Sequence, residues 1–138
     1  MKRICLPALI ENLEKMLEFI RRGAEEIGFD RSLINKIGLA CEEALVNIIK
    51  YAYPNGEGDI EIGYECSDNN SGIVITIIDS GKEFDPLAKA EPKLDIPVEE
   101  RPIGGLGIFM IISIMDKVIY KRENGQNILT LVMYLSEK

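Results

Sequence analysis

Apolar residues recur at helical spacing up to about residue 52 and at every second position from Ile60, and this one change of period limits the fold more than anything else in the chain. Leu9, Leu13, Met16, Leu17, Ile20, Ala24 and Ile27 repeat three and four residues apart, which predicts a helix stopped by Gly28. A second helix is expected from the N-cap candidate Asp30 to the approach of Pro54, with Ile37, Cys41, Leu45, Ile48 and Ala52 as its apolar stripe. Arg3 to Leu6 fits a short strand ended by Pro7. Beyond the turn at Pro54-Asn55-Gly56-Glu57-Gly58, Ile60, Ile62, Tyr64 and Cys66 alternate with more polar positions, as in a half-buried strand. Ile73 to Ile78 is almost wholly apolar and β-branched, which fits a central strand.

The stretch from Lys82 to Pro102 carries Pro86, Pro92, Pro97 and Pro102 among many charges, so no regular element is expected across it. Loops beyond ~12–15 residues in a compact domain are usually lids, binding loops or disordered segments. Gly104-Gly105-Leu106-Gly107 then opens an apolar helix through about Met115. Lys117 to Arg122 and Asn127 to Leu135 flank Asn124-Gly125, a strong hairpin signal. The order β-α-α-β-β-lid-α-β-β predicts an α+β fold, a two-layer sandwich with helices on one face of a mixed, mostly antiparallel sheet. A single domain is expected over residues 1–138, with a lid at about 82–103.

Composition removes several classes of chemistry. The sequence has no histidine, which rules out histidine metal ligands, Ser-His-Asp and Cys-His triads, and phosphorylation of a histidine within it. Its net charge of -7 disfavours direct contact with nucleic acid or an anionic membrane. Ile103 to Met115, the longest apolar stretch, falls short of the ~20 residues of a membrane span. The basic start Met1-Lys2-Arg3 precedes no long apolar run, so no signal peptide is expected. Cys5, Cys41 and Cys66 are odd in number and widely spaced among apolar residues, and read as reduced core thiols of a cytoplasmic protein.

Three segments carry chemistry. In the second helix Glu43, Asn47 and Tyr51 follow one another at intervals of four, which stacks them in one row. A polar helix row is ordinarily a solvated face. Asp79-Ser80-Gly81 ends the central strand; alone it is an ordinary turn, but its carboxylate can also accept a hydrogen bond from an exocyclic amine such as adenine N6. Guanine offers an acceptor at that place, and an unpaired buried polar group costs ~1–3 kcal/mol. Gly81 would let a base approach the backbone. Gly104-Gly105-Leu106-Gly107 is either a hinge or a phosphate cradle, in which glycine N–H groups and a helix N-terminus face an anion. It is neither a Walker loop nor a dinucleotide fingerprint.

Glu-x-x-x-Asn on a helix, Asp-x-Gly after a strand and Gly-x-Gly before a helix occur here in that order. On Glu43-Ala44-Leu45-Val46-Asn47, Asp79 to Pro86 and Gly104 to Ile111, the sequence resembles the GHKL ATPases and kinases, and within them the anti-sigma factor serine kinases of the sporulation and general-stress type. The resemblance implies a Bergerat-type ATP-binding fold with ATP and Mg²⁺. It implies that Glu43 is the general base, that Asn47 holds the metal, and that Asp79 reads the adenine with Gly81 beside it. Phe84 belongs to the matching segment and is counted with the nucleotide-binding residues. Gly104, Gly105, Leu106 and Gly107 would embrace the phosphates, and Arg101, the cation nearest the cradle, would meet the terminal one, with Lys82, Lys89 and Lys93 as rivals. Glu42 is the rival base, but it points about 100° away on an ideal helix.

The sequence departs from its relatives at two places. Tyr51 stands where many have histidine, and Gly125-Gln126-Asn127 replaces a Gly-Thr pair and so removes a hydroxyl. The implied partners are a sigma factor and, as phosphoacceptor, an anti-anti-sigma protein of the STAS type; a homodimer is implied as well. The alternative is a non-catalytic module that binds ATP or ADP and switches a partner. A GHKL ATPase of the topoisomerase or chaperone sort ranks last, because those couple this unit to a transducer in much longer chains.

Overall fold

A computed structural model describes residues 1–85 and 105–135. The expected lid therefore lies outside the described residues except for Lys82 to Asp85, as do Lys89, Lys93, Arg101 and Gly104. The elements run β1 (Lys2–Pro7), α1 (Leu13–Ile27), α2 (Arg31–Tyr51), β2 (Asp59–Cys66), β3 (Gly72–Asp79), α3 (Gly105–Ile114), β4 (Lys117–Glu123) and β5 (Gln126–Tyr134).

Local signals set the element ends. The Asp30 carboxylate accepts the Leu33 N–H at 2.9 Å and caps α2. Gly28, with φ 119°, terminates α1 in the left-handed region. Helix α1 begins later than its apolar spacing suggests. A single 3₁₀ turn at Ile10–Asn12 precedes it, and Leu9 stays 39% exposed outside the core. Asn124 and Gly125, with φ 53° and 78°, make the two-residue turn between β4 and β5.

The sheet order is β1-β2-β3-β5-β4, and each of its four pairings is antiparallel rather than mixed. The chain path explains this. Two helices separate β1 from β2, so the chain returns reversed. A single helix separates β3 from β4, which would make them parallel neighbours, but the β4–β5 hairpin inserts β5 between them. Helices α1 and α3 both pack on α2, and α1 also lies on β2 and β3. The face toward the helices carries Ile60, Ile62, Ile73, Ile75, Ile77 and Leu131, all at or below 1% exposure. Opposite them lie Met16, Ile20, Ile37, Leu45 and Ile111, equally buried. Each such side chain contributes about 1.5–3 kcal/mol.

Only one of the three cysteines joins this core. Cys41 is buried in α2, whereas Cys5 and Cys66 are free and exposed. Cys5 pairs with Glu61 on the face away from the helices. Cys66 is in phase with the buried row of β2 but ends the strand, where burial has already given way to exposure.

Candidate functional site

An open cleft lies between α2, α3 and the sheet, with about 480 Å³ of empty space that runs out into open solvent. Ala44, Asn47, Ile48 and Tyr51 of α2 form one wall, and Ile108 and Ile111 of α3 another. Ile77, Asp79, Tyr120, Asn127 and Leu129 form the sheet side, with Phe84 beside them. The lining is mainly apolar with a few buried polar groups, the usual makeup of a site for a flat organic ring.

Asn47 is 8% exposed, and its Nδ2 is buried with no hydrogen-bond partner among the described residues. Leaving a buried amide unpaired costs about 1–3 kcal/mol, which marks a place that expects a partner. A half-turn of the amide would present its oxygen instead. One carboxamide oxygen suits Mg²⁺ when phosphates supply further oxygens. Among the described residues no group of three His, Cys, Asp or Glu could hold a metal ion by itself. The Asn47 amide oxygen could thus supply one ligand to a cation whose remaining ligands come from elsewhere.

Glu43, one turn earlier, does not line the cleft. Its carboxylate lies against the first turn of α3, where a Cβ built on Gly107 would stand 2.6 Å from Glu43 Oε2. The row Glu43-Asn47-Tyr51 is thus divided: Asn47 and Tyr51 face the cleft, and Glu43 faces the glycine helix start at its edge. Gly105 opens α3, with Leu106 and Gly107 in its first turn.

Asp79 is 4% exposed and ends the buried row of β3. Its Oδ1 accepts the Gly81 N–H and the Asn127 Nδ2–H, both at 2.9 Å. The bond to Gly81 is an ordinary Asx-type turn. The turn engages one carboxylate oxygen, Oδ1, and leaves Oδ2 without a donor among the described residues. Gly81 presses on the backbone carbonyl of Ala52, so no side chain fits there. Lys82 N–H donates to the same carbonyl at 2.9 Å, tying the loop to the end of α2.

Four residues around Asp79 complete the site. The Tyr53 hydroxyl accepts the Ser80 N–H at 2.8 Å and donates to the Asp59 carbonyl at 2.6 Å, pinning the turn to the start of β2. Burial pushes the Tyr53 phenol up, partly offset by the Ser80 N–H. Arg122 Nη1 donates to the Gly81 carbonyl at 2.9 Å. Tyr120 donates to Asn127 Oδ1 at 2.6 Å; burial first, and the Glu83 carboxylate second, push its phenol up. Sequence reasoning passes over Tyr53, Tyr120 and Arg122, and treats Asn127 only as a lost hydroxyl. The hairpin turn does carry a signal, since it sets Arg122 opposite Asn127.

Residues 6–133 match the histidine kinase-like ATPase domain. The chain belongs to the histidine kinase-like ATPase family. Within that family its sequence is similar to serine-protein kinases. It is 32% identical over 106 residues to serine-protein kinase RsbW of Halalkalibacterium halodurans, covering 74% of this chain and 64% of the relative. It is 32% identical over 121 residues to serine-protein kinase RsbW of Oceanobacillus iheyensis, covering 83% of this chain and 74% of the relative. The chain thus spans just under two thirds of the first of these kinases. Among solved structures, the RsbU and RsbW domains of Rv1364c from Mycobacterium tuberculosis match at TM-score 0.64 and 17% identity, over 100% of this chain and 34% of that one. The blue-light activated histidine kinase EL346 of Erythrobacter litoralis matches at 0.60 and 15%, over 89% and 42%. These two support the histidine kinase-like fold alone.

Proposed function

We propose that this chain is an ATP-dependent serine-protein kinase and anti-sigma factor, which phosphorylates an anti-anti-sigma antagonist of the STAS type and sequesters a sigma factor. One observation carries the reading: a single cleft is lined by a buried carboxamide, Asn47, whose Nδ2 has no hydrogen-bond partner among the described residues, and by a buried carboxylate, Asp79. Similarity to proteins named serine-protein kinases supports a protein serine as the phosphoryl acceptor.

The adenine enters between Ile77, Ile108 and Leu129, with its exocyclic amine toward Asp79. Asn47 would hold Mg²⁺ through its amide oxygen, and the bound ion supplies charge neutralisation across the phosphates. Gly105, Leu106 and Gly107 would bring the N-terminus of α3 to the phosphates; Gly104 and Arg101, assigned to the same cradle by the resemblance, lie outside the described residues. Glu43 accepts the proton of the incoming serine hydroxyl as its oxygen bonds to the γ-phosphorus and the bond to ADP breaks. Phosphate adds about -1.5 to -2 charge to the antagonist, which repels it from a protein of net charge -7 and frees the kinase for its sigma factor. The protein works in the cytoplasm as a homodimer. No helix among the described residues is long and apolar enough to cross a membrane.

Incubation with γ-labelled ATP, Mg²⁺ and a cognate antagonist tests the proposal. Label should appear on one serine of the antagonist. Glu43→Gln should slow transfer about 10²–10⁴-fold with nucleotide affinity almost unchanged. ATP binding without label on any cognate antagonist would leave only a nucleotide switch.

A further inference from the structure

Asn127 takes no part in the chemistry above, yet it is densely bonded at the wall of the cleft. It is 6% exposed. One Nδ2 hydrogen goes to Asp79 Oδ1 at 2.9 Å and the other to the Lys82 carbonyl at 2.8 Å. Its Oδ1 accepts from Tyr120 Oη at 2.6 Å, Arg122 Nη1 at 3.2 Å and Phe84 N at 3.4 Å. We infer that Asn127 is a positioning residue that aims Asp79 at the purine and so sets the preference for a 6-amino over a 6-oxo base. This inference rests on the reading that Asp79 meets the base.

The chemistry of the partners fixes the amide. Arg122 and the Phe84 N–H can only donate, so the Asn127 oxygen must face them and its nitrogen must face Asp79 and Lys82. A flipped amide would set nitrogen against two donors and oxygen against a carboxylate. With Asn127 locked, Asp79 Oδ1 receives two donors, from Gly81 and Asn127. Among the described residues no donor reaches Oδ2. The carboxylate therefore keeps one committed oxygen and offers the other, in a fixed plane, as an acceptor. An adenine amine satisfies it. The O6 of hypoxanthine or guanine places acceptor against acceptor. Both Asn127 Nδ2 hydrogens are taken, so the side chain acts through Asp79 and has no hydrogen left to donate to a base.

The test is equilibrium binding of ATP and inosine triphosphate, with Mg²⁺, to the full chain and two variants. Asn127→Asp keeps the shape but replaces the donor to Asp79 with a second carboxylate. A proton shared by the two acids would let Asp79 donate, which suits O6. The ratio of ATP to inosine triphosphate affinity should fall about tenfold, because ATP weakens while inosine triphosphate holds or tightens. Tyr120→Phe removes one anchor of the amide without touching Asp79; the ratio should fall roughly threefold, and this variant decides the matter if Asn127→Asp does not fold. A purely structural role would weaken both nucleotides by one factor. An unchanged ratio in a folded variant, beside a wild type that discriminates, overturns the role of Asn127 alone. A wild type that binds both nucleotides equally overturns it together with the reading of Asp79.

Discussion

Cys41 shows how far one side chain's chemistry depends on its address. Burial pushes its thiol up to about 12 from an ordinary 9.0. The unfolded chain loses that proton first, so this contribution to stability is whole below pH 9 and is lost as pH rises toward 12. The slope in that window approaches about 1.4 kcal/mol per pH unit. Urea unfolding at pH 8, 9 and 10 should show the decline, and Cys41→Ala should make it shallower; the Cys5 thiol, which partial burial also pushes up, adds a further part in the same window. A thiol reagent should modify exposed Cys5 and Cys66 in the native protein and reach Cys41 only on unfolding. Gly107 answers to space instead of charge. Gly107→Ala would put a methyl 2.6 Å from Glu43 Oε2, and the carboxylate, at the end of a flexible side chain, is what moves. Phosphoryl transfer should fall at least about tenfold while thermal stability holds or rises, because alanine favours helix over glycine by about 1 kcal/mol. Unchanged transfer would separate Glu43 from the reaction.

Helix α2 is the element that joins packing to chemistry, and its two functions can be separated by mutation. Asp30→Ala removes the N-cap, about five turns from Asn47; it should cost about 1 kcal/mol in urea unfolding and leave nucleotide affinity within twofold. Equal losses in both would mean that the row is held less rigidly than its packing implies. The helix was readable in the sequence because cap, stripe and polar row all agree on one register. So was the β4–β5 hairpin, whose turn residues demand positive φ. The start of α1 was not. Leu9 keeps the helical period, but Pro7 ends β1 just before it and the chain needs a 3₁₀ turn to change direction. The exposed cysteines mislead for a related reason: alternation tells which residues share a face of a strand, and neither which face is covered nor where cover ends. The network around Asp79 was hidden most deeply, since it depends on Asp79 facing Asn127 across β3 and β5. That pairing follows from the insertion of β5 between β3 and β4, which no local pattern specifies.

At the scale of the whole molecule, the account requires that segments from both halves of the chain close on one nucleotide. Binding only to the folded state stabilises it by about 2.7 kcal/mol at a hundredfold excess over Kd. For a domain of this size that is a rise in Tm of roughly 8–12 °C with Mg-ATP. Asn47→Ala should lose most of the Mg²⁺-dependent part of that rise, and Asp79→Asn most of its preference for ATP over inosine triphosphate. The most direct measurement is a crystal structure with Mg-ADP bound. The account predicts the Asn47 amide oxygen on the metal, the adenine N6 on Asp79 Oδ2, and the phosphates at the N-terminus of α3. Nucleotide bound outside this cleft, or within it with the base away from Asp79 and the metal away from Asn47, would contradict it.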